Sequence, residues 1–157
     1  MWMMQGIPMM KLAFEMTLTN PTGEQSNVCL VPYTSKYQAA YRKMYNECYH
    51  EMREALDIQP YDYIQDDSFF DAGMDAVHLL VENDELIGSV TLKEDELDDL
   101  IVNIRYQGRG YGRQMLLWAL SHMNKEKVIL HVAQWNQKAV SLYRKNGFEI
   151  TDTNIIG

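Results

Sequence analysis

Three glycines at alternate positions form a short segment that could bind an anion through its backbone. Within Gln107–Arg113, which follows an apolar stretch, they are Gly108, Gly110 and Gly112. Because glycine lacks a Cβ, the run leaves backbone N–H groups open to a ligand, and a helix beginning here would add the partial positive charge of its N-terminus. Arg109 and Arg113 add formal charge. The segment predicts a phosphate or pyrophosphate site, with a tight turn that binds nothing as the alternative.

Two common nucleotide-binding motifs do not fit this segment. A P-loop requires Gly-Lys followed by Ser or Thr, and no such residues follow the glycines. A Rossmann site requires the spacing G-x-G-x-x-G and an acidic residue at the end of the next strand. Here the spacing is G-x-G-x-G, and the predicted strand Val128–Ala133 ends without an acidic residue. The sequence therefore argues against both kinds of site.

Hydrophobic periodicity predicts the elements that must position the glycine segment. Apolar stretches predict the strands Met9–Thr19, Val28–Tyr33, Val77–Glu82, Glu85–Leu92, Leu97–Ile104, Val128–Ala133 and Phe148–Ile156. Helical spacing predicts the helices Ser35–Leu56, Gly108–Met123 and Asn136–Lys145. Ser35 and Gln38 have the spacing of a capping box, and Gly147 has the position of a left-handed cap. This order predicts an α/β fold, a mixed twisted sheet of six to seven strands with helices on both faces.

The first predicted helix carries a stripe of large residues at helical spacing. They are Tyr37, Tyr41, Met44, Tyr45, Cys48 and Met52. Such a stripe is typical of a surface that faces the core. Because tyrosine hydroxyls need hydrogen-bond partners, we expect part of it to border a polar cleft.

Length and composition indicate a single folded domain over residues 1–157. Apolar residues make up 46% and charged residues 23%, which excludes a disordered chain and a small disulfide-rich one. No apolar run approaches the roughly 18 residues of a membrane-spanning helix. We interpret residues 1–8 as a leader that carries no targeting signal. Cys29 and Cys48 lack metal-binding spacing, so we expect free thiols, a cytoplasmic location and no metal.

The charges are distributed unevenly along the chain. The formal net charge is −8, which argues against a general nucleic-acid-binding protein. Thirteen acidic residues and one basic residue lie between Tyr61 and Leu100, whereas eight basic residues and one acidic residue lie between Ile101 and Gly147. One half of the molecule would then favour a cation and the other a polyanion, unless these charges only form solvated surfaces.

Two blocks of residues together resemble the GNAT superfamily of acyl-CoA-dependent N-acetyltransferases. The family signature Gln/Arg-x-x-Gly-x-Gly/Ala, between a strand and a helix, is matched by Gln107–Gly112. A second block, Asn-x-x-Ala-x-x-Leu-Tyr-x-x-x-Gly-Phe, is matched at every fixed position by Asn136–Phe148. Both blocks have the family's order and spacing, and the resemblance covers roughly Val28 to Ile150.

The resemblance implies an acetyl-CoA site beside a splayed central strand pair. Backbone groups of Leu100, Ile101 and Val102 would hold the acetyl carbonyl and the pantetheine arm, which binds like an added strand. The pyrophosphate would be wrapped by Gln107, Gly108, Arg109, Gly110, Tyr111, Gly112 and Arg113. Asn136 would contact the pantetheine, although an Asn before a helix is equally an ordinary N-cap.

The resemblance also implies the catalytic groups. Tyr143 would reprotonate the departing CoA thiolate. A base must remove the proton of the acceptor amine, and relatives place it at the positions of His131 or Glu96. An imidazole titrates near neutral pH, which suits this task. The residue types alone favour a core histidine for His131 and a solvated turn for Glu96, and Asp98 and Asp99 are further candidates.

The implied function is direct transfer of an acetyl group, within a ternary complex, to a primary amine. The expected acceptor is cationic and is either a small molecule or a protein amine. Two alternatives remain open: an acyl-CoA-binding regulatory or sensor module without turnover, and a docking half of a larger assembly. We expect no nucleic-acid or membrane partner.

The chain departs from the family at its last strand. The family normally ends with a hairpin of two strands, whereas only Phe148–Ile156 is predicted after the last helix. An unpaired apolar strand is an aggregation hazard. We therefore predict that Met9–Thr19 pairs with it in the main sheet, and the alternative is pairing across a homodimer interface.

Overall fold

The computed structural model of the protein describes residues 11–156. The leader over residues 1–8, and Met9 and Met10 of the first predicted strand, lie outside the described residues. The strands are β1 (Leu12–Thr19), β2 (Val31–Pro32), β3 (Val77–Glu82), β4 (Glu85–Lys93), β5 (Glu96–Val102), β6 (Lys127–Ala133) and β7 (Glu149–Ile155). They form one mixed sheet in the order β2-β3-β4-β5-β6-β1-β7.

Turn and proline chemistry explain two features of the strands. Asn83 and Asp84, which join β3 to β4, have φ of 53° and 64°. Such positive values are what a tight two-residue hairpin turn requires. β2 is shorter than predicted. Pro32 has no N–H to donate, so it is restricted to an edge strand, and β2 lies at one edge of the sheet.

Three α-helices complete the described fold: α1 (Gln38–Ala55), α2 (Tyr111–Met123) and α3 (Gln137–Lys145). The predicted capping box of α1 is wrong. Ser35–Tyr37 forms a 3-10 turn, and α1 begins at Gln38 without a side-chain cap. After the C-terminal end of α3, Gly147 has φ of 97°, as predicted for a left-handed cap. None of the described helices combines the length and apolarity that crossing a membrane requires.

The helices cover both faces of the sheet. Neighbouring residues of a strand point to opposite faces, and Leu79 and Leu80 of β3 belong to separate hydrophobic clusters. The cluster around Leu80 includes buried residues of α2 and α3, such as Leu116 and Val140. The cluster around Leu79 includes Tyr41 of α1. The predicted α/β fold with a mixed sheet is confirmed.

The first described strand completes the far side of the sheet. β1 lies between β6 and β7 and pairs antiparallel with both, for example Phe14 with Val132 and with Thr153. Pairing within one chain is therefore confirmed over Leu12–Thr19, and no second chain is needed to complete this part of the sheet. The side chain of Met16 is fully buried beneath it.

The predicted splay of the central strands is also confirmed. β5 and β6 are parallel, and the register between them contains a single pair, Glu96 with Ile129. One adjacent hydrogen bond, 2.8 Å from the Ile129 N–H to the Asp95 carbonyl, fastens this end. Beyond it the two strands separate, which leaves the edge of β5 that faces β6 without a strand partner in the described part of the chain.

Candidate functional site

A bulge in β5 shapes the opening between the splayed strands. Asp98 pairs with Thr91 of β4, and Ile101 pairs with Ser89, so two residues of β5 stand opposite one of β4. One of these two, Asp99, has φ of 46°. A bulge of this kind bends a strand and redirects its side chains. It also interrupts the regular alternation of side chains between Glu96 and the end of β5.

A cavity of about 650 Å³ extends along this opening. The glycine loop Gln107–Gly112 and the first turns of α3 form one side of it. Strands β5 and β6 form its floor. A third side, which we call the α1 wall, consists of Tyr45, Tyr49, Met52 and Arg53. Part of the α1 stripe therefore borders a cleft, as predicted, whereas Tyr41 and Met44 belong to the core.

The glycine loop has a backbone suited to an anion. Gly108 and Gly110 have φ of 79° and 87°, a region that side chains disfavour. α2 begins directly after Gly110, so its free N–H groups and positive dipole end lie at the cavity. Five of the predicted phosphate-binding residues line the cavity: Gln107, Gly108, Gly110, Tyr111 and Gly112.

The two predicted arginines lie outside the cavity lining. The guanidinium of Arg109 lies 5.3 Å from the centre of the Tyr106 ring. Arg113 forms an ion pair with Glu24, in the segment that joins β1 to β2. Arg113 is therefore adjacent to the glycine loop but is already paired with a carboxylate.

The end of β5 offers the backbone that an extended ligand would need. Leu100, Ile101 and Val102 all line the cavity. The Val102 carbonyl accepts hydrogen bonds from Nε2 of Gln107 at 2.9 Å and from Sγ of Cys48 at 3.2 Å. Burial raises the pKa of the Cys48 thiol to about 12. This cysteine therefore remains a neutral hydrogen-bond donor rather than a nucleophile.

Tyr143 of α3 lies in the cavity wall and is buried, with 6% of its surface exposed. Its ring packs edge-to-face on Phe148, with centroids 5.7 Å apart. Burial, and then the charges of Asp98 and Asp99, raise the pKa of Tyr143 above its usual value. The phenol is therefore protonated at neutral pH.

Asp99 faces the α1 wall from the bulge. The hydroxyl of Tyr49 donates a hydrogen bond of 2.8 Å to Oδ1 of Asp99. Burial raises the pKa of Asp99 to about 6, the charge of Asp98 adds to this, and the bond from Tyr49 opposes it. A carboxylate with such a pKa is ionised at neutral pH and is still basic enough to accept a proton.

The other two candidate bases are placed differently. His131 lines the cavity from β6, and its Nε2 lies 3.4 Å from Oε1 of Glu15 on the neighbouring strand β1. Glu96 does not line the cavity and pairs with Lys93 at the closed end of the splay. Of the four acidic or histidine residues considered, the structure therefore brings Asp98, Asp99 and His131 to the cavity.

Asn136 is an N-cap and also lies at the cavity. Its Oδ1 accepts a hydrogen bond of 3.2 Å from the N–H of Ala139, which makes it the N-cap of α3. It also lines the cavity. Because the cap uses one side-chain oxygen, the amide nitrogen remains available to a ligand.

Comparisons with known sequences agree with this architecture. The sequence model of the acetyltransferase (GNAT) family matches residues 39–148. A mycothiol acetyltransferase of Corynebacterium glutamicum is 32% identical over an alignment of 88 residues, and the match covers 51% of this chain and 30% of that protein. Its counterpart in Corynebacterium efficiens is 33% identical over 88 residues, with the same coverage. The chain spans less than a third of the length of these curated relatives.

Solved structures share the fold at low sequence identity. A GNAT-family acetyltransferase from Colwellia psychrerythraea has a TM-score of 0.69 and 12% identity, over 94% of this chain and 55% of that one. An N-acetyltransferase from Staphylococcus aureus Mu50 has a TM-score of 0.64 and 16% identity, over 82% of this chain and all of that one. With the family model matching well over half of its residues, this chain belongs to the GNAT family of acetyltransferases.

Proposed function

We propose that this chain transfers an acetyl group from acetyl-CoA to a primary amine by direct attack in a ternary complex. The observation that carries the proposal is one cavity that joins three features. These are the glycine loop, the unpaired edge of β5, and the pair formed by Asp99 and Tyr49. The first two are suited to a nucleotide with an extended arm, and the third is suited to an amine.

The residues present fit acetyl-CoA. When bound, it supplies an acetyl group activated as a thioester. The glycine loop and the N-terminus of α2 would hold its pyrophosphate, since both present backbone N–H groups. The edge of β5 at Leu100–Val102 would pair with the amides of its pantetheine arm, because it has no strand partner on the β6 side. The side chains of Gln107 and Cys48, which bond to the Val102 carbonyl, would have to yield to the arm there. Asn136 would add a side-chain contact to that arm.

Asp99 is the base that we favour. Only a neutral amine can attack a carbonyl carbon, so an acceptor that arrives as an ammonium must lose a proton. Asp99 accepts that proton, and Tyr49 holds its carboxylate in position. His131 is the second candidate, because it too lines the cavity. Its contact with Glu15 turns one ring nitrogen toward β1, which favours Asp99 over His131.

Tyr143 completes the proton balance of the reaction. The amine nitrogen forms a bond to the acetyl carbon, and the carbon–sulfur bond breaks. The proton of the amine passes to Asp99, and the proton of Tyr143 passes to the departing thiolate. Backbone N–H groups of the β5 edge would stabilise the negative oxygen of the carbonyl. No protein nucleophile is needed, which agrees with the neutral state of Cys48.

The alternative is a module that binds acyl-CoA without turnover. It differs in one measurable respect, because it would not release CoA thiol.

The cysteines Cys29 and Cys48 are free thiols, which suits the reducing cytoplasm, where we place the protein.

The test is thiol release from acetyl-CoA in the presence of a panel of primary amines, with mass detection of the acetylated product. We expect release that depends on the amine and that falls strongly in Asp99→Asn and in Tyr143→Phe. Tight acetyl-CoA binding without release from any amine would support the non-catalytic module instead.

A further inference from the structure

We propose that the acceptor is a free amino acid with an apolar side chain, whose carboxylate is bound by Arg53 while its amine lies at Asp99. This inference rests on the proposed function, because it names the class of amine that enters the same cavity. It is carried by the one cationic side chain that the α1 wall contributes to the described cavity.

Arg53 is fixed in place at the cavity. It lies one helical turn after Tyr49, which places the two side chains on the same face of α1. Its Nε donates a hydrogen bond of 2.7 Å to the carbonyl of Pro60, and its guanidinium lies 4.9 Å from the centre of the Tyr63 ring. These contacts hold the guanidinium plane before any ligand arrives.

The charge of Arg53 is not neutralised by the protein. Within residues 11–156, no carboxylate lies within ion-pair distance of it, and neither terminal nitrogen of its guanidinium makes a hydrogen bond. These two nitrogens form the fork that binds a carboxylate through two parallel hydrogen bonds. A half-buried, preoriented guanidinium without an anionic partner therefore predicts an anion on the ligand.

The other charges in the cavity lie elsewhere. Asp98 and Asp99 are at the bulge of β5 and suit an ammonium group. Lys138 also lines the cavity, but it lies in the first turn of α3 beside Asn136, on the side that we assign to acetyl-CoA. The acceptor side thus presents negative charge at the bulge and one cation, Arg53, on the α1 wall. An amino acid carries the complementary pair of charges.

Apolar groups surround this charged pair. Met52 and Tyr45 lie on the α1 wall, and Ile58 lies in the loop after α1. Such surroundings suit an apolar side chain rather than further charges. A polyamine would place a second cation against Arg53, which like-charge repulsion disfavours. The geometry therefore points to an apolar amino acid rather than to a polyamine.

The test compares matched pairs of acceptors that differ only in the carboxylate. Leucine is paired with 3-methylbutylamine, and phenylalanine with 2-phenylethylamine, in the thiol-release assay. We expect kcat/KM to favour the carboxylated member by roughly tenfold or more, as the loss of hydrogen bonds to a charged group requires. Equal rates within each pair, or a preference for the plain amine, would overturn the proposal.

Variants of Arg53 distinguish carboxylate binding from a role in holding the fold together. Arg53→Gln should raise KM for leucine by roughly tenfold or more and lower the preference for leucine over 3-methylbutylamine, as the ratio of the two kcat/KM values, by a similar factor. Arg53→Lys keeps the charge but not the fork, and should give a smaller rise. The matched control is Arg42→Gln, because Arg42 also lies on α1 and also binds a loop carbonyl, that of Gln65, but does not line the cavity. An equal loss with both acceptors in Arg53→Gln and Arg53→Lys would show that Arg53 only supports the fold.

Binding measurements keep the proposal testable without turnover. If no amine releases thiol, leucine and 3-methylbutylamine are titrated by calorimetry into the protein saturated with CoA. A preference for leucine that Arg53→Gln removes would support the carboxylate site even though acetyl transfer had failed. Absence of that preference would overturn the site. Thiol release with plain amines alone would overturn the carboxylate site and leave the proposed function standing.

Discussion

The hydroxyl of Tyr49 lies 2.8 Å from Oδ1 of Asp99, and this hydrogen bond ties α1 to the bulge of β5. Burial and the neighbouring Asp98 raise the pKa of Asp99 to about 6, whereas the bond from Tyr49 stabilises the charged form. The pair therefore sets the proton affinity of the carboxylate that we propose as the base.

The first prediction concerns the pH dependence of acetyl transfer. Activity should rise with pH as Asp99 loses its proton near pH 6. Tyr49→Phe removes a hydrogen bond that stabilises the charged carboxylate, so the rise in activity, the acidic limb of the pH profile, should move to higher pH. Asp98→Asn removes a like charge and should move it to lower pH. Profiles of kcat/KM against pH measure both shifts.

Asp99→Asn should lower kcat by roughly 10²–10⁴-fold and abolish the limb, with little change in acetyl-CoA affinity. The control is His131→Gln, which changes the second candidate base. A profile that loses its limb in His131→Gln and keeps it in Asp99→Asn would assign the role to the histidine.

The second prediction concerns stability. A carboxylate with a raised native pKa binds its proton more tightly in the folded than in the unfolded state. Between about pH 4 and pH 6 the folded state therefore holds more protons, and the free energy of unfolding should fall as pH rises, by up to ~3 kcal/mol from this group. Urea unfolding of wild type and Asp99→Asn at both ends of this range measures it. The same slope in both proteins would contradict the assignment.

The third prediction concerns the proton donor. Tyr143→Phe removes one hydroxyl and little packing, so kcat should fall by roughly 10²–10⁴-fold while acetyl-CoA affinity stays nearly intact. Tyr41→Phe is the matched control, because Tyr41 is equally buried but lies outside the cavity lining. Steady-state kinetics and calorimetry measure the two quantities. A wild-type kcat in Tyr143→Phe would mean that water protonates the thiolate.

The fourth prediction concerns the glycine loop. Gly110 has φ of 87°, and a Cβ there would meet no atom within 4 Å, so a substitution acts through the backbone rather than through a clash. Gly110→Ala should shift the N–H groups ahead of α2 and weaken acetyl-CoA binding by roughly tenfold. Gly73→Ala is the control, since Gly73 has φ of 81° and equally open space but lies away from the cavity. Equal affinities in both variants would contradict the phosphate site.

Much of this arrangement could be predicted because it is encoded locally. The glycine loop, the N-cap Asn136 and the left-handed cap Gly147 each depend on residues close in sequence, and the structure has all three features. The base could not be ranked from sequence because the β5 bulge reverses the facing of residues beyond it. One signal was available: two adjacent acidic residues, Asp98 and Asp99, interrupt an apolar strand. Such a pair indicates that regular alternation fails there.

Nothing in the sequence around Arg53 indicates that it could bind a ligand. In sequence it is one of several charges on a long amphipathic helix. Its significance follows from the loop at Pro60 and Tyr63, which the chain folds back against α1. Long-range packing of this kind decides which charge remains unpaired, and periodicity contains no information about it.

The last prediction concerns the strand order. β1 lies between β6 and β7, in the place where a strand following β7 would form a hairpin with it. The N–H of Ile156 donates to the carbonyl of Lys11 at 2.6 Å, so the end of β7 already lies beside the start of β1. A circular permutant should therefore fold, provided that the native strand pairs are kept.

The permutant begins at Gly23 and joins Gly157 to Met1, so that residues 1–10 become the linker into β1 and the chain ends at Thr22. Opening the chain there keeps the contacts of Ser26 and Asn27 with Gln114 on α2. We expect a cooperative unfolding transition and acetyl-CoA binding close to those of the natural order. The control lacks residues 1–22, and it should aggregate because β6 and β7 both lose their partner. A soluble, acetyl-CoA-binding control would show that β1 is dispensable, and an unfolded permutant would show that the natural chain order is required.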